Sequence, residues 1–271
     1  MLLSTVVLAG LGLISGLGLA VAARVFAVEV DPRQEKIADA LPGANCGGCG
    51  YAGCNDFAAA VVRGDATPDG CPVCDPESAA SVALVMGLDY EQKERKVALI
   101  LCQGTRERSP DRFRYNGMAS CGSAALLGGG PKSCTYGCLG MGDCQDACGF
   151  GAIEMTEDGI AHIISDRCTG CGQCVTACPK DLIHLVPESA SVHVLCSNKD
   201  KGAAARKACS AACIGCKKCV KSAGEEHIDM DGFLAVVNYE DPPTDPALVD
   251  ECSTGAIQVV DLSTGAAMRA N

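Results

Sequence analysis

The sequence predicts an α+β chain in which small cysteine-bearing modules follow one helix long enough to cross a membrane. Three observations carry that prediction: an uncharged run from Leu2 to Ala23, 21 cysteines set mostly two or three residues apart, and an internal repeat in the second half. The 271 residues include no tryptophan, five tyrosines and five phenylalanines, so the modules cannot rest on aromatic cores. Small domains that bury little apolar surface need another cross-link, and the cysteines are the candidates.

No charge precedes Arg24. As a helix, Leu2–Ala23 spans roughly 33 Å, the depth of a bilayer core. Ala20-Val21-Ala22 resembles a signal-peptide processing site, but no Lys or Arg stands before the apolar run, so an anchor is expected over a cleaved signal. Arg24, Arg33 and Lys36 follow it, interleaved with Glu29, Asp31 and Glu35. That balance weakly favours a single-pass protein of the cell membrane with its C-terminal side cytoplasmic. Gly12, Gly16 and Ala20 share one helix face, which suits contact with another membrane helix.

Behind the anchor, Asp31-Pro32 opens a short helix that closes near Pro42-Gly43, with Asp as N-cap and Pro in the first turn. A cysteine loop, Cys46 to Cys54, leads to a helix over about Asp56 to Arg63, ended by Gly64. Asp75-Pro76 caps a third helix that runs to Met86 and stops at Gly87. The apolar run Val97–Leu101 reads as a buried strand.

The repeat aligns four segments without gaps: Cys148-GFGA-Ile153, Cys178-PKDL-Ile183, Ala223-GEEH-Ile228 and Cys252-STGA-Ile257. Hairpin turns follow the first and third, at Glu157-Asp158-Gly159 and Asp231-Gly232. Residues ~134–187 and ~209–262 are therefore two copies of one unit.

Cysteines spaced this closely rarely pair with each other but readily face one metal centre. Cys168-TG-Cys171-GQ-Cys174-VTA-Cys178-Pro179 is the bacterial ferredoxin run, in which three thiolates hold one [4Fe–4S] cluster and the fourth reaches its neighbour. The crossing groups Cys148 with Cys168, Cys171 and Cys174, and Cys178 with Cys134, Cys138 and Cys144. The run Cys134–Cys148 is wider than the standard one, which leaves Cys134 and Cys138 the least secured of these. In the second copy, Cys213, Cys216, Cys219 and Cys252 make one set. Its partner set would need thiols where Ala223, Pro242, Asp245 and Leu248 stand, so this copy holds a single cluster.

Cys46, Cys49, Cys54 and Cys71 form a separate set, whose spacing alone suits iron–sulfur or zinc. Glycines 47, 48, 50 and 53 let that loop close tightly around a centre. Cys102 and Cys196 end two similar strands, VALIL and SVHVL. With Cys121 and Cys209 they are a candidate fifth set, against a bland reading as buried structural thiols; Cys74 is left over. The cofactors expected are thus four [4Fe–4S] clusters, or five with that set.

The net charge is −11, from 22 basic and 33 acidic residues, and four cubane sites would add about −8 more. This argues against nucleic acid as a partner. Arg106, Arg108, Arg112 and Arg114, and Lys217, Lys218 and Lys221, are two basic stretches where an acidic electron carrier could dock, unless they are ordinary solvated faces. His162, His184, His193 and His227 read as core or surface residues. No phosphate loop, dinucleotide fingerprint or Ser/His/Asp pattern occurs, so no catalytic residue and no directly bound small-molecule substrate is expected.

The order of these motifs, an N-terminal anchor, then NCGGCGYAGCNDFAAAVVRG, CTYGCLGMGDC and CTGCGQCVTACPK, resembles the B subunit of the Rnf complex, a membrane-bound ion-translocating ferredoxin:NAD oxidoreductase. The resemblance covers nearly the whole chain. It implies a four-iron cluster at Cys46, Cys49, Cys54 and Cys71, entry of electrons from ferredoxin, and membrane subunits of the complex as partners. It also implies a translocase component that carries electrons and performs no substrate chemistry itself. The missing ligands in the last module imply fewer clusters than the multi-cluster members carry.

The expected layout is a transmembrane anchor (1–28), a small helical four-iron domain (29–90), a ferredoxin-like (βαβ-type) double-cluster domain with flanking strands (91–200) and a single-cluster ferredoxin-like domain (201–271). Ferredoxin would enter at the Cys213 set, and electrons would pass by the double-cluster unit to the Cys46 set. Rival readings are the iron–sulfur subunit of a hydrogenase or quinone-linked dehydrogenase, and a membrane-anchored zinc scaffold.

Overall fold

The computed structural model describes residues 2–26 and 31–263; Glu29 and the expected boundary at 28/29 lie outside them. Helix α1 (Leu2–Val25) is long and apolar enough to cross a membrane, and its large apolar side chains from Val6 onward are exposed.

Three helices then enclose a small core. Asp31 caps α2 (Pro32–Ala40) by accepting the Arg33 N–H at 2.8 Å, and Asp75 caps α4 (Pro76–Met86) through the Ser78 N–H at 2.9 Å. Gly64 and Gly87 end α3 and α4 in the left-handed region, at φ +81° and +68°, where a Cβ would be strained. Helix α3 (Cys54–Arg63) starts two residues ahead of the expected Asp56. Its first N–H, that of Cys54, is taken by Asn45 Oδ1 at 2.8 Å, a cap supplied across the cysteine loop. Ile37, Phe57, Val61 and Val82 fill the interior.

The rest of the chain is built from two-stranded sheets. Strand β1 (Lys96–Ile100) lies antiparallel to β4 (Ile183–Pro187), in the register Lys96↔Pro187 to Ile100↔Ile183. The expected turns appear in β2 (Ile153–Met155) with β3 (Ala161–Ile163), and in β6 (Ile228–Asp231) with β7 (Leu234–Val237). Strand β5 (Val192–Val194) pairs with β8 (Ile257–Val259). All strand pairs among the described residues are antiparallel, so the expected βαβ pattern is replaced by a different arrangement. In each copy, a strand that precedes the cysteine run pairs with the strand that closes it: β1 with β4, and β5 with β8. The repeating unit therefore begins earlier than the cysteine runs showed, and Cys102 and Cys196 stand just beyond its two equivalent opening strands.

The copies share a seam. Leu99 and Val186 from the first sheet pack against Leu195, Val260 and Leu262 from the second, all buried. Where the second copy lacks the cysteines of the first, Leu248 is buried with Val220 and Ala223 alongside, so apolar packing fills that half of the module.

Candidate metal centres

The N-terminal loop brings Cys46, Cys49, Cys54 and Cys71 around one cavity closed by Leu41 and Phe57. Cys54 is fixed by opening α3. A hydrogen bond from the Cys74 thiol lowers Cys71, against burial; Cys74 itself is raised, and it flanks the set without lining the cavity.

In the ferredoxin-like run, Cys174 sits on α7 (Gln173–Ala177), buried among Cys168, Cys171 and Cys148. Burial, reinforced by those sulfurs, pushes its thiol up to about 12. Backbone N–H groups of Ala98 and Ala152 point at the sulfurs of Cys168 and Cys148, each at 3.4 Å. In the last module, Cys213, Cys216, Cys219 and Cys252 line one cavity. Burial pushes Cys252 up, but the N–H groups of Ile257, Thr254 and Ala256 and the Thr254 hydroxyl outweigh it and leave the thiol lowered. Amides aimed at sulfur are what a ligated, partly negative thiolate needs.

The cavity linings differ from one expected grouping. The cavity of Cys138, Cys144 and Cys178 is lined also by Cys121 and not by Cys134. Cys134 lines a different cavity with Cys102, Cys196 and Cys209, so the two expected sets exchange one member. The signal was present in the sequence. Cys138, Met141, Cys144 and Cys148 follow the standard ferredoxin spacing, with methionine where the second thiolate belongs. Helix α5 (Cys121–Ala125) brings Cys121 to the same cavity from outside the run.

Two family models match the chain: "Putative Fe-S cluster" over residues 41–73 and "4Fe-4S dicluster domain" over residues 133–182. Among similar proteins, the B subunit of the Na(+)-translocating ferredoxin:NAD(+) oxidoreductase complex of Acetobacterium woodii is 45% identical over 246 residues, 91% of this chain and 74% of that one. The B subunit of the ion-translocating oxidoreductase complex of Methanosarcina acetivorans is 39% identical over 256 residues, 94% of this chain and 97% of that one. The B subunit of the proton-translocating ferredoxin:NAD(+) oxidoreductase complex of Clostridium ljungdahlii is 41% identical over 260 residues, 94% and 91% of the two chains.

The chain belongs to the family of Rnf-complex B subunits. It is an iron–sulfur electron-transfer subunit of an ion-translocating oxidoreductase complex, and α1 fits a membrane location.

Within this family member the cysteine sets lie end to end. The Cys46 loop docks on the Cys168 run: Gln173 Nε2 donates to the Cys46 carbonyl at 2.8 Å. Gly48 backs so closely onto Cys171 that an added Cβ would stand 2.7 Å from its carbonyl oxygen. The Cys168 and Cys138 sets share helices, since α6 (Asp143–Asp146) carries Cys144 and leads to Cys148, while α7 carries Cys174 and leads to Cys178. At the far end, Cys216 is the one exposed cysteine of the described residues.

The two basic stretches differ in character. Arg106, Arg108 and Arg112 are engaged within the fold: Arg106 reaches the Glu157 carbonyl (3.1 Å), Arg108 the Gln103 amide oxygen (2.8 Å) and Arg112 the Gly130 carbonyl (2.8 Å). Arg114 is exposed. Lys217, Lys218 and Lys221 are all exposed, and Lys217 borders the Cys213 cavity.

Proposed function

We propose that four sets each hold one [4Fe–4S] cluster: Cys46, Cys49, Cys54 and Cys71; Cys121, Cys138, Cys144 and Cys178; Cys148, Cys168, Cys171 and Cys174; and Cys213, Cys216, Cys219 and Cys252. When bound, these clusters supply reversible one-electron chemistry at low potential. The residues fit the group. The thiols of the Cys46, Cys138 and Cys213 sets line one cavity each, four thiols to a cavity, which is the donor set a cubane takes.

The observation that carries the reading is the layout: sets in line from the module behind the membrane helix to one with an exposed cysteine. Between the ends, the chain's own residues bury Cys144 and Cys174 and exclude water from them. At the exposed end, Lys217, Lys218 and Lys221 offer three cations to an acidic carrier. Such charges steer encounter more than they add affinity.

Two of the relatives are named for ferredoxin:NAD(+) oxidoreductase complexes. The function best supported is therefore acceptance of electrons from reduced ferredoxin at the Cys213 set, and their delivery through the Cys46 module to membrane subunits of an Rnf-type complex. The cysteine modules would lie in the cytoplasm, where thiolates stay reduced. The units 29–90, 91–200 and 201–271 serve as connector, relay and entry module.

Cys252→Ala tests the entry point. It is expected to abolish ferredoxin-driven reduction while the signal of the Cys46 set persists after chemical reduction. Unchanged reduction kinetics would reject the Cys213 set as the entry.

A further inference from the structure

We infer that Cys102, Cys134, Cys196 and Cys209 hold a fifth [4Fe–4S] cluster, built half from each copy of the repeat, which joins the double-cluster module to the last one. Neither family model spans three of these cysteines, since the matches cover 41–73 and 133–182. The inference deepens the proposed function and rests on it for the kind of cofactor, but not for which cysteines act together.

The two copies contribute to this site symmetrically. Cys102 lies two residues after β1 and Cys196 two residues after β5, the equivalent opening strands of the two copies. Cys134 stands four residues before Cys138, and Cys209 four before Cys213. Each copy thus contributes one strand-end thiol and one thiol just ahead of its cysteine run. The hydrogen bonds repeat in the same way. The Cys138 N–H points at Cys102 Sγ (3.4 Å) and the Cys213 N–H at Cys196 Sγ (3.3 Å). The Gly104 N–H points at Cys102 Sγ (3.3 Å) and the Asn198 N–H at Cys196 Sγ (3.5 Å). A fifth donor, Asn198 Nδ2, aims at Cys134 Sγ at 3.4 Å from a side chain that is 1% exposed. Buried structural thiols need no such crowd of donors, whereas thiolates on iron do.

Lys132 is 3% exposed and has no carboxylate within salt-bridge distance among the described residues; its ammonium donates to the carbonyls of Gly104 (2.6 Å) and Gly159 (3.0 Å). A buried cation without a counter-ion is costly. Gly104 is also where two sulfurs of the set converge: a Cβ there would meet Cys102 Sγ at 3.4 Å and Cys209 Sγ at 3.9 Å. A cubane with four thiolates carries about −2 and would supply the missing negative charge beside Lys132. The cavity is 320 Å³, the same as that of the Cys46 set.

The site also lies between two others. The Cys138 N–H bond to Cys102, and Leu182, which lines both cavities, join this site to the Cys138 set. The Cys213 N–H bond to Cys196 joins it to the last set. Five sets use twenty of the 21 cysteines and leave Cys74.

The test is iron and sulfide content of the full-length chain, anaerobically purified, with low-temperature EPR during a redox titration. Wild type is expected to hold about 20 irons. Cys134→Ala and Cys196→Ala each lose about four, and their double variant loses no more. Cys121→Ala combined with Cys196→Ala loses about eight. The opposite pattern, with Cys121 and Cys196 behaving as one set, would overturn the membership. About 16 irons in wild type, unchanged in Cys134→Ala and Cys196→Ala, would overturn the fifth cluster while leaving the four-cluster reading intact. A chain without iron would instead sink the proposed function. Where cysteine variants fail to fold, Lys132→Met gives a second readout. It should move the midpoint of one signal to more negative potential and leave the other four in place, and no movement would remove Lys132 from the site.

Discussion

Asp143 Oδ1 accepts the backbone N–H of Cys121 at 2.8 Å, and this bond aims a thiol from 22 positions earlier at the cavity that Cys144 lines. Its other oxygen takes the Gly122 N–H and the Ser120 hydroxyl, both at 3.0 Å. Burial pushes the carboxyl up, but these donors outweigh it and hold the group below its ordinary value. Each hydrogen bond to a charged group contributes about 1.5–3 kcal/mol. Asp143→Ala should therefore release Cys121 and lower iron content by about four per chain, while Asp143→Asn retains part of it. A full iron complement in Asp143→Ala would mean that Cys121 is positioned by α5 packing alone.

That contact marks the edge of what the sequence made legible. The three helices behind the anchor follow from local chemistry: Asp-Pro caps, glycine stops and apolar spacing all act within a few residues. The strand at 97–101 and both hairpin turns are local signals of the same kind, and the structure contains them. The partner of Cys138 is not local. Cys121 and Cys134 both precede the run, and only the carboxylate of Asp143 and the strand ends at Cys102 and Cys196 decide which cavity each enters. Pairing of β1 with β4, from Lys96↔Pro187 to Ile100↔Ile183, spans the whole double-cluster run and was equally hidden, because antiparallel partners are chosen by burial rather than by any motif.

The contact between the first two modules is steric, and Gly48 is its tightest point. An alanine Cβ would sit 2.7 Å from the Cys171 carbonyl oxygen and 3.1 Å from the Pro72 ring. Neither is the free end of a flexible side chain, so the loops must separate. Gly48→Ala should weaken docking by about 1–3 kcal/mol, read as faster amide exchange in 45–50 and 170–174. Gln173→Ala removes only the bond to the Cys46 carbonyl and should cost less, about 1 kcal/mol. Equal effects would show that the hydrogen bond, not the fit, holds the modules together.

His193 sets a pH dependence. It is fully buried on β5, opposite Gln258 of β8, and no charged group faces its ring nitrogens. The Ala190 carbonyl can only accept, so Nε2 carries the proton and donates to it at 3.1 Å, and the Tyr239 hydroxyl donates to Nδ1 at 3.1 Å. Burial lowers its pKa to about 4, against a bond to Ala190 that pulls the other way. The unfolded chain binds this proton near pH 6.5, the folded one near 4. The stability it contributes is thus complete above pH 6.5 and lost as pH falls toward 4, to a ceiling of about 3 kcal/mol. Denaturant midpoints across that window should fall in wild type and fall less in His193→Gln. Parallel slopes in the two proteins would assign the acid sensitivity elsewhere.

The vacated half of the last module yields a test of what replaces a cluster. Leu248 is 3% exposed where the repeat would place a ligand, and it packs in one core with Val220, Ile228 and Ala223. A cluster cross-links its module through four covalent bonds, whereas a leucine holds only through burial and contact, so the cost of deleting it measures the substitute. Leu248→Ala should destabilise the last module by about 2–5 kcal/mol through lost transfer energy and the cavity left behind. Urea denaturation followed by the EPR signal of the Cys213 set reads that loss locally, because Leu248 opens the short helix Leu248–Glu251 that delivers Cys252. Leu248→Cys is expected to leave the iron count unchanged, since Ala223, Pro242 and Asp245 offer no further thiolates. A loss below about 1 kcal/mol in Leu248→Ala, short of the usual cost of a core leucine, would mean that the Cys213 cluster alone stabilises the module, with the apolar core secondary.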